Sequence, residues 1–78
     1  LNNKIKVYRR FFNISQSEMA KIIGIGLTSY NQKEQGKKDF TYTEMATILK
    51  YFKEKIPDLT ADDIFFTNGV IKLKTANV

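Results

Sequence analysis

The sequence predicts an all-α fold, a compact bundle of five short helices, on three observations. Apolar residues recur at three- and four-residue intervals in several short segments, the spacing of one helix face. Ser15, Thr41 and Thr60 each stand three residues ahead of an acidic side chain, the capping box that opens a helix. Gly24, Gly36 and the single proline, Pro57, fall where helices should stop. The chain's 78 residues suit one core, because a domain of this size buries only about 60% of its unfolded surface. That domain is expected over residues 1–66, with a C-terminal tail at 67–78.

Taken in order, Ile5, Tyr8, Phe11 and Phe12 repeat at helical spacing with Lys4, Lys6, Arg9 and Arg10 between them, so a first amphipathic helix is expected to end near Asn13. Ser15-Gln16-Ser17-Glu18 opens a second helix, whose apolar face of Met19, Ala20, Ile22 and Ile23 runs to Gly24. Ile25 and Gly26 leave only a very short connection before a third helix from Leu27 to Gln35, stopped by Gly36. Lys37-Lys38-Asp39-Phe40 reads as a basic loop. Thr41 to Glu44 then caps a fourth helix carrying Met45, Ile48, Leu49 and Phe52 inward and ending before Pro57. Thr60 caps a last short helix that brings Ile64, Phe65 and Phe66 onto the bundle. In the tail, Asn68-Gly69 signals a turn, and Val70 to Lys74 reads either as a short strand or as disorder.

Composition removes several classes of function. Without cysteine or histidine there is no disulfide, no zinc finger, no thiol nucleophile and no imidazole base, and the scattered carboxylates form no catalytic constellation, so the chain is read as a non-enzyme with no cofactor and no metal. Gly24-Ile25-Gly26 lacks the third glycine and the flanking strand of a dinucleotide site, and no small-molecule ligand is evident. No apolar run approaches a membrane span and no charged start leads into a signal core, so no membrane is expected and the reading is cytoplasmic. Charge is more telling than hydropathy. Of the formal +5, residues 1–40 carry the whole excess, with eight basic against three acidic side chains, while residues 41–78 hold five of each. A basic half is what a polyanion-binding face requires, although a solvated basic surface fits the same count.

The third helix is unusual for a core element, because Leu27, Thr28, Ser29, Asn31 and Gln32 give it a polar, nearly uncharged outer face. Asparagine and glutamine can pair bidentately with adenine, threonine can bond several bases, and a leucine or threonine methyl can pack on thymine. A merely solvated helix more usually carries Glu/Lys pairs.

Several features share one register. Gln16 opens helix two, the small Ala20 follows four positions later, Gly24 stands at the turn with Met19, Ile23 and Ile25 around it, Tyr30 takes the inward site on helix three, and Glu34-Gln35-Gly36-Lys37 closes it. Ala20 lets two helices cross closely, and Gly24 allows a turn that a branched residue could not adopt without strain. In this register the stretch from Gln16 to Gln35 resembles the helix-turn-helix of the phage repressor and Cro family, often called the XRE family, and the resemblance extends over about residues 4 to 66.

That resemblance implies a lambda-repressor-like fold and a sequence-specific transcriptional regulator, a repressor of the phage or mobile-element type, bound as a homodimer to a double-stranded DNA operator. It implies base reading by Leu27, Thr28, Asn31 and Gln32, and DNA-backbone contacts from Gln16, Gly26, Ser29, Lys37 and Lys38 with the nearby loop amides. It also implies a structural ion pair between Arg9 and Glu34. One departure stands out: Lys33 occupies a position the family fills with an apolar residue, where its stem could cover the core while the ammonium reaches solvent. The alternative for the whole chain is an antitoxin-type protein-interaction module on the same fold, docking through Phe65, Phe66 and the 67–78 tail.

Overall fold

A computed structural model describes residues 3–66, so the expectations for the tail at 67–78 fall outside the described residues. The chain folds as five helices: α1 Ile5–Phe11, α2 Gln16–Ile23, α3 Leu27–Glu34, α4 Tyr42–Lys53 and α5 Ala61–Phe65. The all-α expectation holds, with no strand among the described residues.

Local chemistry sets the helix ends. At Ser15 the hydroxyl accepts from the Glu18 amide at 3.1 Å while the Glu18 carboxylate accepts from the Ser15 amide at 3.2 Å, which satisfies amides that no helical carbonyl can reach. Thr41 and Glu44 repeat the arrangement at the start of α4. Gly24 ends α2 with φ +77°, in the left-handed region, and its amide donates to the Ala20 carbonyl at 2.9 Å. Gly36 plays the same part after α3, with φ +84°. Between α1 and α2, Asn13 adopts φ +62°, a conformation asparagine tolerates better than most side chains.

Helix α2 packs on α3 and on α4, and α4 packs on α5. Tyr8, Met19, Tyr30, Ile48, Phe52 and Ile64 are fully buried at the centre. Rings link the elements: Tyr8 lies 5.9 Å from Phe52, and Phe40 bridges Tyr30 at 6.0 Å and Phe65 at 6.1 Å. The amide of Lys4, the residue just before α1, donates to the Ile64 carbonyl at 2.7 Å, tying the start of the first helix to the last.

Two expectations about the core are corrected. Phe11 is 54% exposed rather than inward, because on a helix turning about 100° per residue the inward stripe is Ile5, Tyr8, Arg9 and Phe12. Arg9 takes the place beside Tyr8, and the Phe11 ring turns edge-on to Phe12 at 5.2 Å instead. Phe66 is also exposed, since the chain leaves helical geometry there, whereas Phe65 is buried and offers no docking surface. Conversely, Ile14, Phe40, Ile56 and Leu59 lie between helices and are buried in the core.

Candidate nucleic-acid interface

Helix α3 turns two residues inward and most of the rest outward. Tyr30 and Glu34, one turn apart, are buried; Leu27, Thr28 and Gln35 are exposed; Ser29, Asn31 and Gln32 are partly exposed. Gly26 is the N-cap residue, extended at φ −70° and exposed.

What holds this orientation is a buried carboxylate with four donors. Glu34 Oε2 accepts from Arg9 Nε at 2.8 Å and from the Tyr30 hydroxyl at 2.6 Å, and Oε1 accepts from Arg9 Nη2 at 3.0 Å and from Gln16 Nε2 at 3.1 Å. Arg9 spends a further donor on the Ile14 carbonyl at 2.9 Å. The pair is nearly dry, with side-chain exposures of 11% for Arg9 and 2% for Glu34. Burial by itself would raise the Glu34 pKa, but the bonds from Arg9, Tyr30 and Gln16 together outweigh it and hold the carboxyl below its ordinary value. The same contacts push the Tyr30 hydroxyl up, first through burial and then through its bond to Glu34, and raise the Arg9 pKa through the Glu34 bond, against the opposing effect of burial.

A second ion pair holds the other flank. Lys33 Nζ donates to Glu44 Oε1 at 2.7 Å and Oε2 at 2.9 Å, with both side chains largely buried. The ammonium therefore does not reach out into solvent: it is paired with the carboxylate that also caps α4 through the Thr41 amide at 2.9 Å. Burial opposes ionisation of Glu44, yet the bonds from Lys33 and Thr41 leave its pKa lowered. At the C-terminal end of α3, Asn3 Nδ2 donates to the carbonyls of Lys33 at 3.2 Å and Glu34 at 3.4 Å.

Gln16, at the first position of α2, is partly buried and bonded across to α3, its Nε2 donating to Asn31 Oδ1 at 2.9 Å as well as to Glu34. Lys37 and Lys38 are exposed, but their backbone amides donate to the Gln32 carbonyl at 2.9 and 3.3 Å and close the end of α3. These two loop amides are thus already engaged, which leaves the ammonium groups as what these two residues offer an anion. Nothing local in the sequence signals the Gln16–Asn31, Lys33–Glu44 or Asn3–α3 bonds, because each joins residues brought together only by folding. Among the described residues no cluster of three acidic, histidine or cysteine side chains could hold a metal, and no helix is long and apolar enough to cross a membrane.

Two short helices joined through Gly24 and Gly26, the second with a polar outer face, are the core of what residues 2–61 match as a whole: the family described as Helix-turn-helix domain. The chain belongs to that family. A relative from Methanocaldococcus jannaschii, described as an uncharacterized HTH-type transcriptional regulator, is 34% identical over 59 residues, which cover 76% of this chain and 89% of the relative. The helix-turn-helix is α2 and α3, and the stretch matched runs from before α1 to the start of α5.

Proposed function

We propose that this helix-turn-helix protein is a sequence-specific DNA-binding transcriptional regulator that reads the major groove with α3 and represses by occupying its operator as a homodimer. One observation carries the reading. Apart from Leu27, the outward face of α3 is polar and uncharged, while its inward face is fixed by a buried Arg9–Glu34 pair, so the helix is both suited to base edges and held in one rotation. In this reading Leu27, Thr28, Asn31 and Gln32 face bases. Gln16, Gly26 and Ser29 border the backbone, and Lys37 and Lys38 reach phosphates through their side chains. Gly26 is exposed at the start of α3, and a Cβ added there would meet no atom of this chain within 4 Å. The relative's description as an HTH-type transcriptional regulator supports the same role. Arg10, Lys21 and Lys6, all exposed, add general attraction for a polyanion.

Selection of bound sequences from a random duplex pool tests this reading. The expected result is an operator with two related half-sites about 34 Å apart. With it, Thr28→Ala should lose about 1 to 3 kcal/mol of discrimination at particular bases, and Lys37→Ala should weaken all sequences alike and lower the salt slope by about 1. Binding that shows no preference over random duplex, at any salt, contradicts it. A second reading, the antitoxin-type interaction module, is favoured by an apolar groove of about 260 Å³ between α4 and α5, lined by Tyr42, Met45, Ala46, Leu49, Ala61 and Phe66. It shares no residue with the face of α3, so Tyr42→Asp, at a ring that is 82% exposed, should abolish partner or self-association and leave binding to a single half-site intact.

A further inference from the structure

The geometry points to Asn31 as a donor-only reader of DNA, turned into that state by Gln16, and so selective for a base edge that presents acceptors, guanine above all. The inference rests on the proposed reading of the major groove by α3.

The polarity of the network is set from inside. A carboxylate can only accept, and Glu34 is held ionised by Arg9, so the Gln16 group at 3.1 Å from Glu34 Oε1 must be its NH2. The second hydrogen of that NH2 lies toward Asn31, whose facing atom, 2.9 Å away, must therefore be the oxygen. Gln35 Nε2 approaches the same oxygen at 3.4 Å. Reversing the Gln16 amide would set oxygen against carboxylate, and reversing Asn31 would set two NH2 groups together. Asn31 Oδ1 thereby already accepts from Gln16 and, at longer range, from Gln35, while its Nδ2 has no partner among the described residues. No buried side-chain nitrogen or oxygen among those residues lacks a partner, so Nδ2 reaches solvent.

A free asparagine favours adenine because it offers a donor to N7 and an acceptor to the N6 amino group. Asn31 retains only the donor. In the major groove it suits guanine, whose N7 and O6 are adjacent acceptors, and then thymine O4; it is unsuited to the amino group of cytosine or adenine. Gln16 is on this account a positioning residue: its substitution should move a base preference rather than only lower affinity.

The test is a duplex selection on the wild-type chain, followed by affinities for all four base pairs at each operator position for Asn31→Ala, Gln16→Leu and Gln16→Lys. Asn31→Ala should flatten the preference at one base pair per half-site, and at that pair the wild type should prefer guanine. Gln16→Leu, which releases the Asn31 oxygen, should move that preference toward adenine by about tenfold. Gln16→Lys keeps donors for both Glu34 and Asn31 and should retain guanine. Thermal unfolding of each variant separates a folding defect from a reading defect. A wild-type preference for adenine at the Asn31-dependent pair overturns the inference while leaving the regulator reading intact, and so does a Gln16→Leu chain that binds every sequence more weakly with its preferences unmoved. A pool with no enriched sequence overturns both.

Discussion

Helices α3 and α4 sit in one bundle but are held there by different forces. Helix α4 buries Ile48 and Phe52 completely and packs Met45, Leu49 and Tyr51 partly against the core, so its place is set by non-directional apolar burial. Helix α3 contributes one apolar side chain to the core, Tyr30, and is fixed mainly by hydrogen bonds, charged ones from Glu34 toward α1 and α2 and from Lys33 toward α4, and neutral ones from Asn3 to its C-terminal carbonyls. The difference follows from the outer face. A helix whose exposed side is reserved for polar contacts has few apolar residues with which to anchor itself. Directional bonds to a buried carboxylate, moreover, fix its rotation about its axis, which burial alone does not.

Two substitutions of comparable size should break the two regions in distinguishable ways. Phe52→Ala should cost about 3 to 5 kcal/mol by leaving a cavity, with little dependence on pH. Arg9→Ala should cost a similar 3 to 5 kcal/mol at neutral pH, because it strands the Glu34 carboxylate in the interior. Its effect should shrink in acid. Glu34 titrates below its ordinary value of 4.5 in the folded chain, so its stabilisation is complete above that value and is lost as the pH falls through the lower folded pKa. Chemical denaturation of the wild type and both variants between pH 7 and pH 3 reads this directly: the gap between wild type and Arg9→Ala should narrow as the pH falls, and the gap to Phe52→Ala should not.

Smaller effects sharpen the picture at the turn and on the α4 flank. Gly24→Ala should cost about 1 to 2 kcal/mol, from backbone conformation alone, since φ is +77° and an added Cβ meets nothing within 4 Å. Gly26→Ala, in an ordinary extended conformation with the same open space, should change the unfolding midpoint little. Lys33→Met should cost about 1 to 3 kcal/mol, less than Arg9→Ala, because it leaves the largely buried Glu44 carboxylate with its Thr41 amide bond but without the ammonium. A loss as large as that of Arg9→Ala would show that α3 depends on both ion pairs equally.

Much of the fold was legible because helix boundaries are written locally. Capping boxes at Ser15 and Thr41 and a left-handed glycine at 24 act within four residues, and the structure has them where the sequence put them. Core residues outside periodic segments were not legible: Phe40 follows two lysines in a loop, and Ile56 and Leu59 flank Pro57, so no spacing marks them as buried. Phe11 misled for the opposite reason, since an apolar side chain lost its inward place to an arginine with a buried partner. In the candidate site, residue types along α3 could be read one by one, but not their mutual bonding. Gln16 and Asn31 are 15 residues apart, and Lys33 and Glu44 are 11 apart. Only the folded chain shows that the asparagine oxygen is spoken for and that the unexpected lysine is paired.

Backbone amide NMR of the labelled protein, titrated with its selected duplex, tests the central claim most directly. The largest shifts should fall on Gln16, on Gly26 to Gln32 and on Lys37 and Lys38, with α4 from Ala46 onward nearly unmoved. Shifts concentrated on α4 and α5, with α3 silent at saturation, would contradict it.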